Sequence, residues 1–345
     1  MTDFRSSPSQ AVTILRFAAA ALAAVLLVAG RAHASAEPPI VYDDLDRFAS
    51  ALQAVDAGTP LAGAMAGYVA AGSPAMQIFT SRFGLSGDTL AERVTQRPRY
   101  YRYLTTLRPE IAAREADIRA ALARLKALAP EGSRPVPIHF MVANMKAGAN
   151  PGVVKTPQGP RPVIAVAIDL VAMSPRVDMS EFPKGPAGTS FDDILTIVVH
   201  ETAHVFQMQL QGLEAYRSIY SDAKRRTNLA FAIREGCADF LTWQATGTSI
   251  DNRRDYVKAH ERELWAEFQP VVNNPMNPAQ AWFGPRDPAR PQQPMQVGYG
   301  IGMAICEAFH EAAPDKAQAM RSIYGAYLPE HFEAILAPYA ARMAR

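Results

Sequence analysis

Ile194 to Gln209 reads ILTIVVHETAHVFQMQ, and this stretch restricts the fold more than any other. Ile194, Ile197, Val198, Val199, Val205 and Phe206 leave a helix here apolar on most sides, so it belongs in a core. Yet it carries His200, Glu201 and His204. Buried polar groups without partners are costly, so these three need something to bind. Residues four apart lie on one face of a helix, one turn from each other. His200 and His204 can therefore point at one ion. Glu201 is turned roughly 100° from His200, where its carboxylate can reach a water held by that ion. This is the HExxH spacing, with two histidines as Zn²⁺ ligands and the glutamate as general base. The alternative is an apolar helix whose histidines find ordinary partners.

A catalytic zinc takes three protein ligands and leaves a fourth position for water. AIREGCADFLTW supplies the candidate third ligand, Glu235, on a second helix predicted from Asn228 to Ala245. Asp239 lies one turn beyond it on the same face, placed to accept the outer N–H of a ligating histidine. A surface acid pair is the alternative reading of these two. Gly236 would let the two helices approach closely. Cys237 is roughly 200° round from Glu235 and should point away from the metal. Among the other histidines, His139 alternates with apolar neighbours and could face a cleft. His260 sits in a charged helical stretch and reads as surface. His310 is a candidate for touching substrate, and His331 has no such context. No convincing fourth protein ligand is visible.

HETAH and EGCAD together resemble the two zinc helices of the gluzincin, thermolysin-like metallopeptidases. HETAH, REGCADF and GYGIGMAICEAF are also similar to a bacterial family of predicted Zn-dependent proteases. The resemblance spans about residues 135 to 310 and rests on these short blocks. It implies a zincin-like core with His200, His204 and Glu235 as zinc ligands, Glu201 as base and Asp239 as orienting partner. It also implies peptide or protein substrates, and an edge strand that pairs with an extended substrate, near Ile138 or Val163. No counterpart of thermolysin's oxyanion-stabilising histidine and tyrosine is readable. By analogy with gluzincins that use one downstream tyrosine, Tyr299 in VGYGIG is the candidate, and a plain core tyrosine is the alternative. A zinc hydrolase acting on a non-protein amide such as a cell-wall peptide, an inactive zinc-binding module, and a metal-free helical protein remain as other readings.

The rest of the chain frames this region. Residues 42–128 show helical spacing, clearest through Ile111, Ile118, Leu122 and Leu125. RPVPIHFMVAN (Arg134–Asn144) alternates and reads as a strand. KAGANPG reads as a loop, and PVIAVAIDLVAM (Pro162–Met173) as a second strand. Ser190 is the expected N-cap of the histidine helix, with Asp193 at the capping-box position and Gly212 as the stop. Gly247 ends the second helix. Residues 270–294, rich in Pro, Asn and Gln, read as a long surface loop, GYGIGMAICEAFHEA opens another helix, and the C-terminus reads as helical. The expected class is α+β, mostly helical, with a small sheet beside the histidine helix. The expected division is 1–36, a helical region 37–130, and a core 131–345.

Residues 1–36 have the layout of a secretory signal peptide. Arg5 and Arg16 precede the apolar run Phe17–Gly30, followed by the small-x-small sites AHA and ASA. The run is short for a membrane span, which needs roughly 20 apolar residues. The expectation is a periplasmic or secreted protein without a stable membrane anchor after cleavage. The leader holds Arg5, Arg16 and Arg31 against Asp3, so removing it takes the net charge from +2 to near zero. No basic excess remains for nucleic acid or an anionic membrane. Cys237 and Cys306 could pair in an oxidising compartment, or could be two small buried residues on helices.

Overall fold

A run of short helices opens the described part of the chain: α1 (Asp43–Asp56), α2 (Leu61–Ala70), α3 (Met76–Arg82), α4 (Gly87–Gln96), α5 (Pro98–Leu104), α6 (Arg108–Ala113) and α7 (Glu115–Leu128). Local chemistry sets their boundaries. Ser86 and Thr89 close a capping box at α4. Pro98 begins α5, where a missing N–H leaves no bond unmade. α7 buries Ile118, Leu122 and Leu125, as the spacing predicts. The computed structural model describes residues 37–183, 185, 188–212, 222–277, 282–326 and 329–345. The leader expected over 1–36 lies outside them.

Four strands follow in a mixed sheet of order β1-β2-β4-β3: β1 (Ile40–Val41), β2 (Ile138–Met141), β3 (Ala149–Thr156) and β4 (Gly159–Ala167). β1 and β4 flank β2 in parallel, and β3 returns antiparallel on β4. Two residues of β1 are too few to show a pattern in sequence. β3 corrects the loop expected at KAGANPG, since the strand begins at Ala149. Pro151 and Gly152 read as loop residues but suit an outer strand. Pro151 needs no ladder donor at an edge, and its carbonyl accepts from Arg82 Nη1 at 3.2 Å. A Cβ on Gly152 would come within 2.8 Å of Ile78 Cδ1, so glycine lets α3 close over the strand. The second expected strand also ends early. The apolar run continues past Ala167, but the chain turns into a 3₁₀ turn at Ile168–Leu170. Asp169 holds that turn, accepting from Ala143 N at 2.8 Å and Met145 N at 2.6 Å.

This order also corrects the strand-addition reading. Ile138 is paired on one side with Ile40 and on the other with Ile164, and Val163 lies between β2 and β3. Neither strand offers a free edge at those positions. The outer strands are the two-residue β1 and the longer β3, and α3 already serves outward groups of β3. Gln77 donates to Lys155 O at 2.9 Å and accepts from Lys155 N at 3.1 Å.

The sheet packs beside α8 (Ile194–Gln211). Ser190 does act as a cap, but of a 3₁₀ turn at Phe191–Asp193, with its side chain accepting from Asp192 N. The capping box does not form, because Asp193 accepts from Asp251 N instead, at 3.4 Å. Gly212 ends α8 with φ 83°. α9 (Asn228–Thr246) starts at Thr227, whose hydroxyl accepts from Ala230 N, and stops at Gly247 in the left-handed region. The carbonyls of Val272 and Asn274 take the first N–H groups of α9. The segment expected as surface loop is therefore partly structural, and it also buries Phe283 and Gln293. α10 (Arg253–Ala259), α11 (Glu261–Phe268), α12 (Val297–Ala312), α13 (Lys316–Tyr324) and α14 (Pro329–Met343) complete the chain. The architecture is α+β and mostly helical. No helix among the described residues is long and apolar enough to cross a membrane.

α9 is buried on nearly every side from Asn228 to Thr242, and α12 is its most extensive neighbour. A methyl on Gly302 would land in the Ala232 carbonyl, and one on Gly236 in the Gly302–Met303 backbone. Gly236 thus serves a close approach to α12, not to the histidine helix as the sequence suggests. One turn further, Cys237 and Cys306 form a disulfide across the same crossing, with Cα atoms 5.5 Å apart. Both cysteines are fully buried. The bond closes a sequence separation of 69. In the chain-entropy view a loop of that size is worth about 4 kcal/mol. Cys237→Ala/Cys306→Ala should lower unfolding free energy by about 2–4 kcal/mol in urea titration. A variant as stable as the wild type would show that the bond does not restrain the unfolded chain.

Candidate metal centre

α8 delivers two imidazoles and α9 one carboxylate to a single buried point. His200 and His204 meet edge to face, with ring centroids 4.6 Å apart. Their Nε2 atoms are 3.1 Å apart. Glu235 Oε2 lies 3.0 Å from His204 Nε2 and 3.5 Å from His200 Nε2. A tetrahedral zinc with bonds of 2.0–2.1 Å holds its donors roughly 3.3–3.4 Å apart. The observed separations match that set. Among the described residues these three are the one His/Cys/Asp/Glu group placed to hold a metal ion.

The outer nitrogens explain why the inner ones need a cation. His204 Nδ1 faces Gln207 Oε1 at 2.9 Å, so Nδ1 carries the proton and Nε2 presents a lone pair. His200 Nδ1 lies 2.8 Å from Asp239 Oδ1. That contact is an ion pair whose N–H is not aligned for a straight hydrogen bond, leaving neither atom with another partner. Charge attraction needs no straight angle, so Asp239 still places its proton on the outer nitrogen. Two ring nitrogens and a carboxylate oxygen then converge, which is repulsive unless a proton or a metal cation sits among them. The donor set fits zinc: borderline nitrogen ligands, one oxygen, and space at three-ligand coordination.

The electrostatics show that this point favours positive charge, as a proton on His200 or as a metal ion. Burial works to lower the His200 pKa, but the close contact and charge of Asp239, then Glu235 and Glu201, raise it to about 10. Burial would raise Glu235, yet the charges of His204 and Arg234 hold it well below the usual carboxylate range. Asp239 is lowered against its burial by Arg253 and His200. Glu201 goes the other way. Its burial raises it, the two histidines oppose, and Glu235 and Asp239 add to the rise. Its side chain remains partly exposed where the histidines are buried, and among the described residues nothing hydrogen-bonds it.

Glu201, Asp239 and Tyr299 lie in this neighbourhood with the three candidate ligands. Tyr299, in the first turn of α12, lays its ring parallel to His200 at 6.4 Å, with the Arg253 guanidinium 4.9 Å over its face. Burial and the Glu235 charge raise its hydroxyl well above the ordinary value, so it stays a donor. The rival histidines are elsewhere. His139 is buried on β2, His260 stacks on Tyr256, and His310 packs against Phe240 at the far end of α12. Cys237 is committed to its disulfide.

Three supporting residues escaped the sequence reading. Gln207 stands three residues after His204, a spacing that could have flagged it. Arg234 directly precedes Glu235 and reaches its other oxygen, Oε1, at 2.8 Å. Arg253 pairs with Asp239 Oδ2 at 3.0 Å and is held by Met295 O and Gln296 Oε1. Its approach depends on Asp251, Asn252 and Gln296 in the left-handed region, at φ 50°, 54° and 54°. No local pattern announces that conformation at non-glycine residues.

Comparison with known protein families, with curated proteins and with solved structures returned no match.

Proposed function

We propose that this protein is a zinc-dependent hydrolase that cleaves peptide bonds. The observation that carries the reading is the convergence of His200 Nε2, His204 Nε2 and Glu235 Oε2, with Glu201 uncommitted beside them. Bound there, zinc supplies Lewis acidity that makes water acidic near neutral pH. The chain's own residues do the rest. Glu201 Oε takes a proton from the attacking water and later gives it to the leaving amine. Asp239 and Gln207 fix the two rings so that both inner nitrogens face the same point. Tyr299, protonated and stacked by Arg253, donates to the oxyanion as it forms.

The same proposal places the protein outside the cytoplasm. The leader-like segment 1–36 supports this, and so does a disulfide between two buried cysteines, which persists in oxidising compartments.

Metal content tests the core of the reading. Protein made without a His tag should carry about one zinc per chain, and His204→Ala should carry essentially none, by atomic emission. A well-folded wild type that takes up no metal when zinc is offered would overturn it.

A further inference from the structure

A glutamate ligand has two oxygens, and only one of them faces the histidines here. Oε2 of Glu235 is the atom 3.0 Å from His204 Nε2. Oε1 is gripped by the residue before it. Arg234 Nε lies 2.9 Å and Nη2 2.8 Å from that oxygen. Arg234 is itself buried, 4 % exposed, with its guanidinium 3.8 Å over the Phe231 ring. Phe231 lies one turn earlier on α9, so the helix supplies both the platform and the clamp.

We propose that Arg234 is a positioning residue that restricts Glu235 to single-oxygen ligation and so keeps a position open for water. The inference rests on the metal reading above. A carboxylate with both oxygens free can swing to bind a cation through both, adding a fifth donor that crowds the place a catalytic site leaves for water. Two N–H groups on Oε1 oppose that swing, because it would break two charge-assisted hydrogen bonds in a buried place. The clamp also sets charge. The carboxylate charge of the His₂Glu set is offset by the adjacent arginine, so a bound cation keeps more of its Lewis acidity. Lysine could supply charge at this place but not two N–H groups in a fixed plane.

Cobalt substitution reads coordination directly, without any substrate. Four-coordinate Co²⁺ absorbs visible light more strongly than five-coordinate Co²⁺. Wild type loaded with Co²⁺ should show the strong band. Arg234→Met, which keeps an unbranched apolar stem but removes the guanidinium, should lose about half of that intensity or more per bound cobalt. It should also change Zn²⁺ affinity by about ten-fold in chelator competition. Arg234→Lys retains the charge and should show the same weakening of the band, which decides the matter if the methionine variant does not fold. Variants that bind Co²⁺ with the wild-type spectrum overturn the clamp and leave the metal site standing. A wild type that binds neither Co²⁺ nor Zn²⁺ overturns the metal reading itself, and the clamp with it.

Discussion

Gly302→Ala should be among the most damaging single-methyl changes this protein can suffer. In most helices the same change is favourable, since glycine costs about 1 kcal/mol relative to alanine in a helix interior. Gly63 in α2 shows the ordinary case, because an added Cβ there meets nothing within 4 Å. Gly63→Ala should raise stability by about 0.5–1 kcal/mol. At Gly302 the new methyl would fall in the Ala232 carbonyl, a backbone group of a helix buried on nearly every side. No side chain can rotate away to make room. The helices must part, and the disulfide between Cys237 and Cys306 resists that one turn away. Overpacking of this kind costs about 1–3 kcal/mol when neighbours can shift, and more when they cannot. The expected loss is about 3 kcal/mol or more, read as a lower urea midpoint with an unchanged slope. A Gly302→Ala protein as stable as wild type would mean that α9 and α12 do not cross backbone to backbone.

That crossing shows what a linear sequence can and cannot reveal. Gly236 is recognisable as a close-approach residue, but its partner Gly302 lies far along the chain. The nearer histidine helix looked like the natural partner. The candidate metal ligands were legible because each relation is local: His200 to His204 across one turn, Glu235 to Asp239 across another. A helical spacing turns directly into a shared face. Joining the two helices needed only the chemical argument that buried polar groups must be satisfied. Arg253 was not legible, because its placement depends on Asp251 and Asn252 in a conformation that side chains normally avoid. β3 was missed for a related reason. Pro151 and Gly152 are punctuation in a sequence, yet at an outer strand packed under α3 they are what the geometry requires. The α+β class and the sheet beside α8 were legible because apolar periodicity changes from helical to strand-like near Arg134 and back before Ile194.

Glu201→Gln should separate binding from chemistry at this site. The substitution keeps shape and a polar tip but removes the ability to accept a proton from water. Glu201 Oε is not among the atoms that converge on the candidate metal position, so zinc should remain near one per chain. Turnover of a peptide on which the wild type is active should fall by about 10²–10⁴-fold, the usual worth of a positioned general base. The surroundings favour this role over a structural one. The carboxylate is partly exposed while its neighbours His200 and His204 are buried, and among the described residues it has no hydrogen-bond partner to lose. Burial raises its proton affinity in the metal-free chain. Thermal stability of the variant should therefore match or slightly exceed that of the wild type. His204→Ala gives the opposite signature, with metal and turnover lost together. Zinc retained with turnover lost assigns the proton transfer to Glu201. Zinc and turnover both retained would remove the general base from the scheme, and with it the reason to read this helix as a peptidase centre.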